Sequence, residues 1–324
     1  MNSYDAPNRL LALRANLQQE QGQFFTVGCS WLTPDVVQFL KRHAHLGVLD
    51  PFAGEGHLVH AVRSVLKCVS SGLDIDSSMY AHNDSLEYIP KAHCIVTNPP
   101  YLSKARASRL KLAGPRRYFT SCPKHDNLYK IGLERCLQAA KYVVAIVPES
   151  FLHSSFDMTN LVHATVLEDS PFADTEVPTC VCCFDTTRIQ RPVVICRAFR
   201  VLLHDLPTAF PGRTDIVFNT YGQITLHAID GCVGNRIEFL HHASDTGPAA
   251  RSIISVNVPV AARYVSRLVD LANAELEALR EAYHDLVLSP FMGNTNSGVR
   301  RRRLGIAQAR YILTRALEKL ESGH

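Results

Sequence analysis

No stretch of the 324 residues is apolar for the length that a membrane span requires, and the N-terminus lacks the basic-then-apolar build of a secretory leader. Low-complexity tracts and internal repeats are also missing, which excludes repeat arrays and long disordered segments. Metal-type ligand pairs are scarce. Cys180-Val-Cys182-Cys183 has the look of half a zinc site, but it alternates through a strand-like segment and no second pair stands at zinc spacing. The ten cysteines fall at irregular intervals, as small buried hydrophobes do in a reducing compartment. These absences predict a cytosolic protein with no membrane partner and no metal.

What remains is an ordinary globular composition, 46% hydrophobic and 20% charged, on a chain long enough for two domains or for one core with an appendage. The net charge of +4 is mild but unevenly placed, because Arg300, Arg301, Arg302 and Arg303 run without interruption. A nucleic-acid partner fits such a cluster, and so does a solvated basic run.

The sequence is organised around Cys94-Ile-Val-Thr-Asn-Pro-Pro-Tyr101, a short apolar run that stops abruptly. Two consecutive prolines cannot continue a strand ladder, since each lacks the donor N–H and fixes φ. The chain must therefore leave the sheet at Asn98 in a rigid turn. That turn presents an amide, a proline carbonyl and an aromatic ring at the carboxyl edge of a strand, where open α/β sheets bind ligands. A proline-stiffened surface loop with Tyr101 packed on the core is the alternative.

Upstream, residues 8–19 have helical spacing, and Thr33-Pro34 starts a capped helix with Val36, Val37, Phe39 and Leu40 on its apolar face. Residues 46–50 form an apolar strand that runs into Pro51-Phe52-Ala53-Gly54-Glu55-Gly56 and then a helical pattern from Leu58. Strand, glycine turn and helix open a nucleotide-type α/β fold, and the glycines let the backbone approach a ligand that any Cβ would exclude. A second strand, residues 68–75, ends in Asp74, about 20 residues past the glycine turn, where a carboxylate can take both ribose hydroxyls of an adenosyl group. Asp84 follows, placed for an adenine amino group. Each acid alone has the other reading of a turn or cap residue.

Beyond Tyr101, residues 102–124 are basic and broken by glycine and proline, which predicts a mobile loop near the turn. Asp126-Asn127 caps a helix, residues 142–147 are a buried parallel-type strand, and residues 177–184 and 191–201 are β segments suited to a closing antiparallel hairpin. After about residue 203 the alternation stops. Short strands at 216–219 and 223–229, a helix over 260–287, a flexible loop over 289–298 and a last helix over 307–320 form a separate appendage.

Taken together, Asp50-Pro-Phe-Ala-Gly-Glu-Gly56, Gly72-Leu-Asp-Ile-Asp76, Asn83-Asp-Ser-Leu86 and Asn98-Pro-Pro-Tyr101 resemble the S-adenosylmethionine-dependent DNA adenine-N6 methyltransferases, in the order of their gamma class. Asp126-Asn-Leu-Tyr129 and Ala145-Ile-Val-Pro-Glu-Ser-Phe151 are similar to later motifs of that family, and the resemblance covers roughly residues 20–200. It implies an α/β fold: a Rossmann-like class I methyltransferase sheet with helices on both faces over residues 1–202, and a smaller C-terminal α+β DNA-recognition region over 203–324. It implies S-adenosylmethionine as cofactor, S-adenosylhomocysteine as product, and cofactor contacts from Thr26, Asp50, Pro51, Ala53, Gly54, Gly56, Asp74, Ile75, Asp84, Ser85 and Asn98. The family runs aromatic-Thr-Pro together, whereas here Phe25-Thr26 is separated from Thr33-Pro34.

The implied chemistry suits the residue types. An adenine amino group is a poor nucleophile, and the Asn98 side-chain oxygen with the Pro99 carbonyl can accept its two protons as it becomes tetrahedral. The catalytic set is then Asn98, Pro99, Pro100 and Tyr101, with Tyr101 stacking on a base flipped out of duplex DNA. Phe184 matches the position of a second stacking aromatic and equally suits a core. Lys104, Arg106 and Arg300, Arg301, Arg302 and Arg303 are the expected DNA contacts. The expected setting is a monomer in a bacterial cytosol or phage-infected cell, with or without a separately acting restriction endonuclease. An RNA or protein-glutamine methyltransferase and a non-catalytic DNA-binding module are the competing readings.

Overall fold

A computed structural model of the chain describes residues 24, 26, 28–76, 79–172, 175–219, 221–231, 236–241, 252–295 and 300–323. The helix expected over 8–19 and Phe25 lie outside them. The chain divides into two compact units between Arg200 and Val201.

The first unit is built on a nine-stranded sheet with spatial order β3-β2-β1-β4-β5-β7-β6-β8-β9. In chain order its strands are β1 (Val48–Asp50), β2 (Ser70–Asp74), β3 (Ala81–His82), β4 (Ala92–Thr97), β5 (Ala140–Pro148), β6 (Leu161–Val166), β7 (Thr179–Asp185), β8 (Val193–Cys196) and β9 (Phe199–Leu202). Strands β3, β2, β1, β4 and β5 are parallel to one another, while β7 runs antiparallel between β5 and β6. The helices are α1 (Pro34–His43), α2 (His57–Leu66), α3 (Lys104–Arg109), α4 (Ala113–Ser121) and α5 (Leu128–Ala139). This is the Rossmann-like open α/β sheet expected from the sequence. Its strand order reverses between β1 and β4, which opens a crevice at their carboxyl ends.

The closing strands differ from the expected hairpin. β8 does not pair with β7; it lies parallel on β6, and β7 is inserted between β5 and β6. The sequence reading passed over β6, because His163 and Thr165 interrupt its apolar run. Residues 102–124 are likewise not a loop but α3 and α4. Ser103 caps α3 by accepting from the Arg106 amide (3.2 Å), and Ala107, Tyr118 and Phe119 bury themselves with Leu86, Leu102 and Leu128. Seven cations hid a short apolar stripe.

Phe184 is also corrected. It sits inside β7, paired with Val143 and Leu161, 0% exposed and with Phe151 against its ring. Val143 in turn pairs with Ile95, so Phe184 lies well down the sheet from the Asn98 turn. Phe184→Ala is expected to lower stability by about 3–5 kcal/mol through the cavity it leaves. Thermal melts check this core role, since the stacking role expected from the sequence requires unchanged stability.

The second unit holds a four-stranded antiparallel sheet in the order β10 (Val217–Phe218), β13 (Ile253–Asn257), β11 (Ile224–His227), β12 (Glu238–His241). A hairpin of β14 (Ser289–Asn294) and β15 (Arg300–Arg303) and two helices, α6 (Val265–Tyr283) and α7 (Ile306–Glu321), complete it. Leu226, Phe239, Val256, Leu268 and Leu313 lie at its core. Residues 289–294, expected as loop, are therefore strand.

So are the four arginines, and this overturns their assignment as an open DNA-contacting run. A strand turns successive side chains to opposite faces. Arg300 and Arg302 are buried, at 8% and 3% exposure. Arg301 donates from Nε to the Asp230 carbonyl (2.8 Å) and lies over the Phe291 ring at 5.0 Å. Only Arg303 of the four is exposed. Asp230 anchors this region: its carboxylate accepts from the Arg302 and Ile237 amides and from the Arg280 guanidinium, which also grips Asp285.

Candidate active site

Parallel strands all finish on one side of a sheet, so segments far apart in the chain deliver Asp50, Asp74 and Asn98 to one edge. The register Leu49↔Ile95 between β1 and β4 brings Asp50 beside Thr97. Thr97 Oγ1 donates to Asp50 Oδ1 (2.8 Å), as does the Phe52 amide (3.1 Å). Asp50 Oδ2 is buried and has no hydrogen-bond donor among the described residues. Burial raises this carboxyl from 3.8 to about 7, against the pull of the two hydrogen bonds and with a further push from the Asp74 charge.

The glycine turn follows directly. Gly54 and Gly56 have φ of 51° and 82°, a backbone region that L side chains rarely enter. Asp74 holds the turn: its Oδ2 accepts from the Gly54 amide (2.7 Å) and its Oδ1 from the Asp76 amide (2.8 Å). Each oxygen keeps lone-pair capacity for another donor. Pro51 and Ala53 are buried beneath the turn, and Ile75 is exposed at the end of β2. Tyr80, which sequence reasoning missed, packs closely against the turn. A Cβ on Gly56 would fall 2.0 Å from its hydroxyl, and one on Gly72 would strike its ring and Ala53.

Asp84 is more committed than expected. Its Oδ1 accepts from the Leu86 amide (3.2 Å), and its Oδ2 takes both Arg117 Nη2 (2.5 Å) and the Tyr118 hydroxyl (2.7 Å) from α4. Ser85 is buried and its hydroxyl accepts from Asn83 Nδ2 (2.8 Å).

At the end of β4, Asn98 donates from Nδ2 to the Phe24 carbonyl (2.7 Å). A carbonyl can only accept, so this bond fixes which end of the amide is which. Oδ1 is left buried, with no partner among the described residues. Tyr101 is buried, its hydroxyl donates to the Ile146 carbonyl (2.9 Å), and its ring meets Phe24 at 5.7 Å and Phe172 and Tyr129 each at 5.8 Å. Phe172 is the aromatic found near the turn where Phe184 was expected. Its sequence surroundings, Ser170-Pro171-Phe172, carry no periodic signal that could have singled it out. Thr26 bridges to Phe172 and its buried Oγ1 has no partner; Thr33 makes no side-chain cap on α1, and its Oγ1 is likewise buried and unpartnered.

Helix α5 braces the turn from behind. Asn127 caps it, and Gly132 lies so close to the site that a Cβ there would stand 3.0 Å from the Phe52 ring and 3.1 Å from Pro99 Cβ. Gly132→Val is expected to push both loops apart and lower turnover by about 10- to 100-fold, since small misplacements of reacting groups have effects of that order. A folded variant with the wild-type rate would show that this close approach does not position the turn.

Lys104 is exposed at the start of α3 and Arg106 is half-buried two residues on. Among the described residues no helix is long and apolar enough to cross a membrane, and no three His, Cys, Asp or Glu residues are grouped to hold a metal.

The residues present fit S-adenosylmethionine. An unpartnered buried carboxylate oxygen suits one of its two cationic groups, the oriented Asp74 suits ribose hydroxyls, and the glycine turn admits close approach. No family model and no curated protein matches the sequence. Among solved structures the chain is similar to a modification subunit ascribed to a type I restriction enzyme of Vibrio vulnificus, with 17% identity and a TM-score of 0.40 over 60% of this chain and 53% of that one. It is similar to the methyltransferase subunit of a type I restriction-modification system from Streptococcus thermophilus, with 18% identity and a TM-score of 0.38 over 54% and 47%. TrmN from Thermus thermophilus gives 21% identity and a TM-score of 0.31 over 47% and 48%. The chain spans about half the length of each.

Proposed function

We propose that this protein is an S-adenosylmethionine-dependent methyltransferase that modifies the exocyclic amine, N6, of adenine in duplex DNA. The observation that carries the reading is the Asn98 amide: its donor end is tied to Phe24, and its acceptor end is buried, unpartnered and set at the carboxyl edge beside the Asp50 turn. Such an oxygen is suited to an N–H donor that arrives with the substrate.

When bound, the cofactor supplies an electrophilic methyl group on a sulfonium. Asp74, which holds the glycine turn, would receive ribose hydroxyls, and Asp50 Oδ2 would receive a cationic end. Asn98 Oδ1 and the Pro99 carbonyl would accept hydrogen bonds from the two amine N–H groups and direct the nitrogen lone pair toward the methyl group; as the N–C bond forms the C–S bond would break, S-adenosylhomocysteine would leave, and one amine proton would pass to solvent. Phe24, half-buried at the turn, furnishes aromatic surface for a planar ring, while Tyr101, expected to stack on the base, is packed behind it. Lys104, Arg106 and the exposed cations of α3 and α4 track the phosphate backbone. The duplex places its amine in a stack, so the base is flipped into the site. The enzyme would act as a monomer in a bacterial or phage-infected cytosol, as the modification partner of a separate endonuclease or as an orphan enzyme.

The test is to express the chain in cells free of adenine methylation and map modified bases in their DNA, with RNA and protein glutamine assayed in parallel. N6-methyladenine at a recurring sequence is the expected result. Methyl groups found in RNA or on glutamine instead would replace the substrate, and none anywhere would defeat the reading.

A further inference from the structure

We propose that Asp84 is a shared carboxylate through which nucleic acid bound on the α3–α4 pair tightens cofactor binding, an inference that rests on the function proposed above. Residues 102–124 contain seven lysines and arginines and no acid, so this stretch is a one-signed surface for phosphates. Its Arg117 is directed inward at a carboxylate. Nη2 lies 2.5 Å from Asp84 Oδ2, 3.5 Å from Glu87 Oε1 and 2.8 Å from the Tyr118 hydroxyl, and the guanidinium stacks over the Tyr118 ring at 4.8 Å. The Tyr118 hydroxyl donates to the same Asp84 oxygen (2.7 Å), while the Leu86 amide takes the other.

Two donors on one oxygen have different fates when a polyanion arrives. The Arg117 side chain is 56% exposed, so it can swing to a phosphate; Tyr118 is buried in the core under α4 and stays. An exposed ion pair shifts an equilibrium only a few-fold, which a phosphate backbone with its dense negative charge readily outcompetes. Asp84 then keeps its orientation, through Tyr118 and Leu86, but loses its cation. It becomes the stronger acceptor for the amino group of the cofactor's adenine. By linkage the effect is mutual: the cofactor, by occupying Asp84, releases Arg117 to the nucleic acid.

The coupling is measured by calorimetric titration with S-adenosylhomocysteine, which cannot react, with and without a short mixed-sequence DNA duplex. In the wild type the duplex is expected to tighten binding by about 3- to 10-fold at low salt, fading as salt screens Arg117. Arg117→Ala is expected to bind S-adenosylhomocysteine more tightly than wild type without duplex, by a similar few-fold factor, and to gain nothing from duplex. Tyr118→Phe is expected to bind more weakly in both conditions with the duplex effect kept. Arg117→Gln replaces the alanine variant if that one melts early. Unchanged or weaker binding in the folded Arg117 variant, or a duplex effect that survives in it, overturns the coupling. Asp74→Ala separates the two levels: if wild type does not bind S-adenosylhomocysteine, or binding is indifferent to Asp74, the cofactor reading falls and the coupling with it; if binding needs Asp74 but ignores Arg117, only the coupling falls.

Discussion

Asn98→Ala is expected to lower methyl transfer at least about 100-fold while S-adenosylhomocysteine still binds, because in the proposed reaction the lost oxygen would act on the target amine. Two interactions disappear in this variant. One is the acceptor offered to the amine; the other is the Nδ2 bond that holds the Phe24 carbonyl at 2.7 Å. Asn98→Asp tells them apart, since a carboxylate keeps acceptor oxygens but cannot donate to Phe24. If the acceptor dominates, Asn98→Asp retains more activity than Asn98→Ala; if the Phe24 tie dominates, both fall alike. Single-turnover transfer of labelled methyl groups to a duplex gives the rates. Near wild-type transfer by Asn98→Ala would remove the residue from the mechanism.

The second large effect is expected at Asp50, where stability and function pull in opposite directions. Its carboxyl is raised from 3.8 to about 7 in the folded protein, chiefly by burial. The folded state therefore keeps the proton to higher pH than the unfolded chain. The associated stability is complete below about pH 4, is lost as the pH climbs to about 7, and stays lost above that. The rise from 3.8 to about 7 corresponds to roughly 4 kcal/mol at its ceiling. Asp50→Asn cannot ionise, so its stability relative to wild type is expected to rise steadily from pH 4 to 7 and then level off. The gain is smaller than the ceiling because the new amide brings donors to a site where Oδ2 had no partner.

The same variant is expected to bind the cofactor at least about 10-fold more weakly, by loss of one charge-assisted contact. In the wild type, a cation bound beside Asp50 pulls its carboxyl back down. Calorimetry near pH 6 in buffers of different ionisation enthalpy should then show release of up to about one proton on binding. Denaturation curves across the pH range complete the test. A flat difference between the two proteins would show that Asp50 is not a buried, proton-holding carboxyl.

The parts of the site legible in the sequence are those set by backbone chemistry within a few residues. Pro99 and Pro100 end β4 wherever they occur, Gly54 and Gly56 turn the chain where a side chain would be strained, and the alternation of strand and helix sends each strand's acid or amide to one sheet edge. Those constraints placed Asp50, Asp74 and Asn98 together before any coordinates. Tertiary pairing decided the rest. Arg300 and Arg302 are buried because β15 pairs with β14 and a strand alternates its faces, which a run of four identical residues cannot disclose. Phe184 is core because β7 enters between β5 and β6, and β6 carries too little apolar pattern to announce itself. Asp84 is held by Arg117, 33 residues away, through a helix that the basic composition concealed. Local rules fix where the chain must turn; which side chains meet after the turn depends on partners distant in sequence, because burial and pairing are properties of the assembled sheet.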